Sequence, residues 1–170
     1  SDVCSSDLMP GFEFKPQALI SGSAFVGVKS FNALRDLVPD FTGVVANVGV
    51  KYVLRATQFD VRVARDLTYS FEALQPYYAL TDTGLAITQR ITTRWDVVAR
   101  SSWQTMAYRN VTAATSLAAR TDQSWLLGLG LGYRVAETVR MGLDANYYRR
   151  QSGSLAFRDY NGLRIGASFT

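Results

Sequence analysis

The chain contains 170 residues, of which 48% are hydrophobic and 19% are charged, and its formal net charge is +4. This length is enough for one domain with a buried core. One cysteine and no histidine exclude an internal disulfide, a Cys/His zinc site and a histidine-activated nucleophile within the chain. Catalysis would therefore have to rest on carboxylates, Tyr, Lys or Ser alone, and we expect no metal site and no cofactor. No uncharged stretch approaches the roughly 18 to 20 apolar residues that a membrane helix requires.

The positive charge comes from fifteen arginines and three lysines. A nucleic-acid-binding protein more often shows a basic cluster, whereas these arginines stand singly among Asp, Tyr and Ser. We therefore expect no nucleic-acid partner.

The first eight residues, "SDVCSSDL", share no pattern with the rest and resemble translated sequencing adapter. We expect residues 1–8 to be a non-native leader and residues 9–170 to form one β-barrel domain. Without Asp2 and Asp7 the charge becomes 18 − 12 = +6. The native start would then be missing, so a signal peptide could have preceded it.

From Leu19 onward, apolar residues recur at every second position, which is the periodicity of β-strands. The segments that alternate in this way are 17–30, 44–54, 59–64, 77–90, 95–104, 124–135, 139–148 and 162–169. Strands of roughly 9 to 15 residues are longer than the ~5 to 6 that are usual in soluble proteins. Brief turns near 55–58, 90–94 and 136–138 alternate with longer connections near 31–42, 70–76, 109–123 and 151–159. This pattern predicts an all-β, up-and-down antiparallel sheet with its short turns on one side.

The segment "SWLLGLGLGYR" at 124–134 illustrates the division between faces. Its leucines share one face with Trp125 and Tyr133, while its glycines occupy the other. The order G-x-G-x-G inside a strand does not match the G-x-G-x-x-G that nucleotide-binding loops place at a strand-to-helix turn. We interpret it as a membrane-spanning strand whose glycines make room for arginines of neighbouring strands.

Aromatic residues at both ends of the apolar face support contact with lipid. Trp95 and Trp103 are eight residues apart, as are Trp125 and Tyr133. Eight residues span roughly 26 Å, or about 20 Å at a tilt of ~40°, close to the ~25 Å between the aromatic girdles of outer-membrane barrels. We expect these four residues and Phe169 to be lipid-interface anchors rather than sugar-stacking platforms. A soluble sandwich or lipocalin-like binder, the alternative fold, requires this face to turn inward.

The opposite face collects charged residues, which cannot face hydrocarbon cheaply. We predict that they line the lumen; they are Asp60, Arg62, Asp96, Arg100, Arg134, Arg140, Asp144 and Arg164. Two roles remain open for this set, a selectivity lining that attracts anions and a structural ladder of ion pairs. Three of its aspartates share the face, but arginines lower carboxyl pKa values and make such acids poor general acids. We expect no enzyme activity.

The sequences "RDLTYSFEALQPYYALTDTGLAITQRI" (65–91), "ALISGSAFVGVKSF" (18–31) and "VPDFTGVVANVGVKY" (38–52) resemble a family of porin-like outer-membrane β-barrel proteins of Gram-negative bacteria. That family is associated with exopolysaccharide loci. The resemblance covers most of residues 10–170. It implies that this chain, with about eight strands, is the C-terminal portion of a larger transmembrane barrel in the outer membrane. It supplies no catalytic residues.

Two functions follow as expectations. The first is passive passage of small hydrophilic or anionic solutes, in connection with exopolysaccharide export or the cell surface. The second is a non-conducting structural or adhesive barrel that acts through loops 31–42 and 109–123, because an eight-stranded closed barrel is filled by side chains.

The expected partners are outer-membrane lipid, the barrel assembly machinery, and polysaccharide or small anions. Tyr77 and Tyr78 fit either glycan stacking or a strand-start turn, and we favour the turn.

Overall fold

The computed structural model describes residues 3–14, 19–33, 40–72, 74–109, 120–136, 139–153 and 158–169. These residues form an all-β fold of ten strands. The strands are β1 Val3–Leu8, β2 Gly11–Phe14, β3 Ile20–Ala33, β4 Phe41–Leu54, β5 Thr57–Glu72, β6 Gln75–Arg90, β7 Trp95–Arg109, β8 Thr121–Ala136, β9 Val139–Ser152 and β10 Tyr160–Phe169. The last eight strands correspond to the eight predicted from the alternation. The prediction of an antiparallel up-and-down fold is therefore confirmed.

All ten strands belong to one antiparallel sheet. From β3 to β10, every strand pairs with the strand that precedes or follows it in the chain. No ladder among the described residues joins β10 to the opposite edge, so the sheet is not closed. A barrel closed by these strands alone is therefore not observed, and the open sheet is consistent with part of a larger barrel.

The first two strands behave as one interrupted strand along the edge of β3. Leu8 pairs with Val28 and Gly11 with Phe25, so the register is the same on both sides of the break. The break coincides with Pro10, which has no N–H to donate to the ladder but accepts a hydrogen bond from the Val26 N–H at 3.1 Å. Backbone groups of any sequence can pair in this way, so the origin of residues 1–8 remains a prediction.

Two of the predicted short turns lie within the described residues, and they differ in backbone conformation and hydrogen bonding. Arg55 and Ala56 join β4 to β5, and Arg55 has a positive φ of 54°. Between β6 and β7, the Thr92 hydroxyl accepts hydrogen bonds from the backbone N–H groups of Arg94 at 3.3 Å and Trp95 at 3.0 Å. Such a side-chain bond takes the place of the Gly or Asn that many turns require.

The long connection predicted at 70–76 is wrong. Strand β5 continues to Glu72 and β6 begins at Gln75, and these two residues pair with each other. A register shift between Tyr69 and Glu72 accommodates Pro76, which has no partner in either neighbouring ladder. Proline suggested the end of a strand, but a bulge lets it lie inside one.

One face of the sheet exposes large apolar side chains and the other buries polar ones. In a soluble β-protein the apolar side chains are the buried ones. On the face that carries Leu129, which we call the apolar face, the large side chains are exposed: Leu127 is 55%, Leu129 65%, Leu143 62% and Ile165 72% accessible. On the other face, which we call the polar face, Asp96 and Asn146 are buried. The apolar face is therefore not turned into a core, as a sandwich or a lipocalin-like binder requires.

Candidate functional site

The four predicted anchors on β7 and β8 form two cross-strand ring pairs. Trp95 is the register partner of Tyr133, and their ring centroids lie 4.7 Å apart. Trp103 is the partner of Trp125, with stacked rings 5.3 Å apart. Each pair stands at one end of the apolar face, so a band of leucines lies between two aromatic clusters.

Further aromatic residues extend the cluster at the short-turn end. Tyr52 on β4 stacks with Phe59 on β5, at a centroid distance of 6.2 Å. Phe169, near the end of β10, pairs with Met141 and is 73% exposed. Tyr52 and Phe59 were not among the predicted anchors, although each occupies the apolar phase of its strand. The alternation that identified the other anchors also places Tyr52 and Phe59 on the apolar face, close to the turn.

All eight residues predicted to line the lumen project from the polar face. They are distributed as Asp60 and Arg62 on β5, Asp96 and Arg100 on β7, Arg134 on β8, Arg140 and Asp144 on β9, and Arg164 on β10. Their role in solute passage stays a prediction, but their contacts divide them into a paired group and an unpaired group.

In the paired group, two aspartates each accept a hydrogen bond from an amide on the same strand. Gln58 Nε2 donates to Asp60 at 2.7 Å, and Asn146 Nδ2 donates to Asp144 at 2.6 Å. Arg62 bridges to a residue outside the predicted set, Asp82 on β6, at 3.0 Å. Of these three contacts, only the Arg62–Asp82 ion pair joins two strands.

Arginine side chains lie over the glycines of β8, as the sequence suggested. Arg140 on β9 reaches across β8 to Asp96 on β7, with Nη2–Oδ1 and Nε–Oδ2 distances of 2.5 and 3.0 Å. A Cβ at Gly132 would collide with the Arg140 guanidinium, and one at Gly128 would lie 2.6 Å from Arg100 Cγ. A side chain at either glycine would therefore displace the arginine that crosses it.

A second polar cluster at the long-loop end was missed by the sequence analysis. Asp122 on β8 is fully buried and accepts four hydrogen bonds. The donors are Arg120 Nε at 2.9 Å, Arg120 Nη2 at 2.5 Å, Arg150 Nη2 at 2.7 Å and Ser152 Oγ at 2.6 Å. Arg120 also stands 4.3 Å from the centroid of the Tyr108 ring, a cation–π contact. We call these residues the Asp122 cluster.

Asp122 was assigned to the connection 109–123, yet the polar phase of β8 continues through Ser124 to Asp122. Burial raises its pKa, but the hydrogen bonds from Arg120, Ser152 and Arg150 outweigh this effect and lower the pKa to about 2. The same bonds raise the pKa of Arg120 and Arg150. At neutral pH the cluster therefore contains an ionised carboxylate between two charged guanidinium groups.

The Asp122 cluster also connects to β5 and to the β9–β10 connection. Glu72 lies 3.6 Å from Arg120 Nη1 and accepts a hydrogen bond from Arg158, which lowers the pKa of Glu72. The backbone N–H of Ser152 donates to Asp159 at 2.6 Å. The cluster thus ties four strands together at one end of the sheet.

The tyrosines after Pro76 lie inside β6 rather than in a loop. Tyr77 is 2% exposed, so it offers no ring face to a glycan. Tyr78 packs on Tyr108 with a centroid distance of 5.0 Å. Both tyrosines are packing residues at the long-loop end, and the turn that we favoured is also not the correct description.

Among the described residues, no three or more acidic, cysteine or histidine side chains come together as metal ligands do. The described part of the chain also contains no helix of the length and apolarity needed to cross a membrane.

Comparisons with known proteins add no family. No family model, no curated protein and no solved structure matches this chain significantly.

Proposed function

We propose that this chain is part of an outer-membrane β-barrel of a Gram-negative bacterium, through which small hydrophilic and preferentially anionic solutes diffuse. The observation that carries this proposal is the inverted sheet. Leucines such as Leu129 are exposed between two aromatic pairs, while Asp96 and Asn146 are buried on the other face. Exposed leucines bracketed by aromatic rings suit a hydrocarbon layer with an interface on each side.

The polar face suits an aqueous path with a positive potential. Arg100 and Arg134 make no side-chain hydrogen bond or ion pair among the described residues. Arg62 and Arg140, by contrast, are each paired with an aspartate. The excess of unpaired arginine raises the local concentration of anions inside a low-dielectric wall. The open edges of the sheet would then pair with further strands of a larger barrel.

The alternative function is a non-conducting barrel with a structural or adhesive role. The Asp122 cluster favours it, because side chains of four strands meet there and occupy the polar face at the long-loop end. A barrel whose interior is filled in this way at every level conducts nothing.

The first experiment tests the lipid-facing surface. The purified chain is expected to remain dispersed in zwitterionic detergent and to aggregate when the detergent is removed. A monodisperse chain in detergent-free buffer would contradict the proposal.

The second experiment separates channel from plug. With the complete barrel in a planar bilayer and a salt gradient, we expect ion conductance with a reversal potential that indicates preference for anions. The double variant Arg100→Ser/Arg134→Ser is expected to shift the reversal potential toward cations, while Arg65→Ser, on the apolar phase of β5, leaves it unchanged. Absence of conductance favours the structural barrel, and an unchanged reversal potential in the double variant rejects the arginine lining.

The proposed partners are outer-membrane lipid, the barrel assembly machinery and small anionic solutes. The connection with exopolysaccharide rests on the sequence resemblance alone. It is tested by deleting the gene and measuring polysaccharide at the cell surface, with the complemented strain as the control.

A further inference from the structure

The polar face contains a cavity at its short-turn end that is surrounded by arginine. Its volume is about 330 Å³, within the range of small-molecule pockets. Five arginines line it, Arg55, Arg90, Arg100, Arg134 and Arg140. Asp96 is the one carboxylate among the lining residues. The arginines come from β6, β7, β8, β9 and the β4–β5 turn, so five separate elements direct positive charge at one space.

The protein compensates only one of the five positive charges of this cavity. Asp96 is occupied by Arg140, which binds both of its oxygens. The nearest carboxylates along the same face, Asp60 and Asp144, accept hydrogen bonds from Gln58 and Asn146. The other four guanidinium groups have no side-chain partner among the described residues. Several like charges around one cavity repel each other, and this repulsion is relieved when a negatively charged ligand enters.

The chemistry of the arginines selects the class of ligand. Guanidinium groups present planar pairs of N–H donors that match two oxygens of a phosphate or carboxylate. A monovalent halide offers one charge and no such pair of oxygens. A multivalent oxyanion offers several oxygens and enough charge to engage more than two arginines at once. The cavity opens on the polar face, opposite the lipid-facing leucines, so the ligand is water-soluble.

We propose that this cavity is a saturable binding site for a multivalent oxyanion of phosphate chemistry, located at the short-turn mouth of the lumen. The proposal rests on the proposed function in one respect, since the mouth of a lumen exists only if the polar face encloses one. The binding of the oxyanion itself requires only the folded sheet. In a conducting barrel, such a site captures the anion before it crosses.

Calorimetric titration with sodium pyrophosphate tests the site, using the 170-residue chain in zwitterionic detergent at low ionic strength. We expect saturable binding that weakens at least tenfold in the double variant Arg90→Gln/Arg134→Gln. The control is Arg164→Gln, which removes one positive charge from the same face outside the cavity and is expected to change the affinity less than twofold. Absence of saturable heat overturns the site, as does an equal loss in the control.

A second variant keeps the test valid if the double variant does not fold, as judged by its β-sheet circular dichroism. Arg134→Lys preserves the charge but removes the planar pair of donors, so binding is expected to weaken severalfold while the chain remains folded. An unchanged affinity in Arg134→Lys and in Arg90→Lys would overturn the site.

Failure of the site and failure of the channel give different results. Anion-selective conductance without pyrophosphate binding rejects the site and preserves the channel. Pyrophosphate binding without conductance preserves the site and rejects the channel. If both are correct, pyrophosphate on the side of the short turns reduces the chloride current, and the Arg90→Gln/Arg134→Gln variant relieves this block.

Discussion

The guanidinium of Arg140 on β9 binds both carboxylate oxygens of Asp96 on β7, at 2.5 and 3.0 Å, across the strand that lies between them. The pair can form because β8 presents Gly132 directly beneath it. Two-pronged contacts between Arg and a carboxylate are stronger and more directional than single bonds. Gly132 therefore allows side chains of β7 and β9 to meet across β8.

Substitution of this glycine provides a direct test of the arrangement. Gly132→Ala places a methyl group where the Arg140 guanidinium lies, so the ion pair with Asp96 has to shift. We expect a loss of about 1–3 kcal/mol in the free energy of unfolding, because the buried Asp96 loses hydrogen bonds from Arg140. Urea unfolding in detergent measures it.

Gly49→Ala is the matched control, because a Cβ at this polar-face glycine of β4 would meet nothing within 4 Å. Alanine weakens a strand less than glycine does, so we expect Gly49→Ala to be neutral or to stabilise by about 0.5–1 kcal/mol. If Gly132→Ala behaved in the same way as Gly49→Ala, the glycine would not be needed for the Arg140 contact.

The Asp122 cluster predicts a dependence of stability on pH. Asp122 lies three residues beyond Trp125, about 10 Å along the strand from the aromatic pair. Its folded-state pKa of about 2 is below the ordinary value of 3.8. Its contribution is therefore complete above about pH 4 and is lost as the pH falls toward 2, with a size on the order of 2 kcal/mol.

Unfolding midpoints measured between pH 6 and pH 2 test this expectation. Asp122→Asn is expected to be strongly destabilised at neutral pH, because Arg120 and Arg150 lose a buried partner, and to show a flatter pH profile. Ser152→Ala removes one of the four hydrogen bonds to Asp122. Its stability at neutral pH is expected to lie between those of the wild type and Asp122→Asn. A wild-type profile no steeper than that of Asp122→Asn would exclude the carboxylate as the titrating group.

The sequence predicted the strands well because alternation is a local property of the chain. Within a regular strand, the face that each residue occupies can be assigned from its neighbours two residues away, as in residues 124–134. The connection at 70–76 was predicted wrongly because Pro76 carries a strong local signal that the bulge after Tyr69 overrides. A bulge is formed by two strands together and has no marker in either strand alone.

The candidate sites were predicted only in part, for the same reason. Inward arginines such as Arg100 were found from their phase, but the cavity at the short-turn end requires the register between β4 and β9. Arg55 and Arg90 were not singled out because they stand beside turns. Only the hairpin geometry brings them to the same end as Arg134.

The turn between β4 and β5 yields a prediction that separates stability from binding. Arg55 has a φ of 54°, a region that costs a non-glycine residue roughly 1–2 kcal/mol. Arg55→Gly is therefore expected to raise the free energy of unfolding by about 1 kcal/mol and to weaken pyrophosphate binding. Ala56→Gly, one residue later without a positive φ, is expected to give no stabilisation. Equal effects of the two substitutions would show that the backbone conformation is not the cause.

Placing a charge at the middle of the apolar face tests the environment of that face. Leu129 is 65% exposed and lies four residues from both Trp125 and Tyr133. In water, Leu129→Arg would be nearly neutral, because an exposed arginine is fully solvated. In a bilayer the same substitution costs about 2–4 kcal/mol at the midplane and only about 0–1 kcal/mol near the interfaces.

The control is Leu74→Arg. Leu74 is also exposed but lies in the β5–β6 turn, beyond the Trp103–Trp125 pair. Unfolding in lipid vesicles is expected to show a loss of about 2–4 kcal/mol for Leu129→Arg and close to none for Leu74→Arg. Because both substitutions exchange the same residue types at exposed positions, the difference between them isolates depth in the hydrocarbon. An equal loss in the free energy of unfolding for the two variants would mean that Leu129 faces water. The apolar face of the sheet would then need a protein partner rather than lipid.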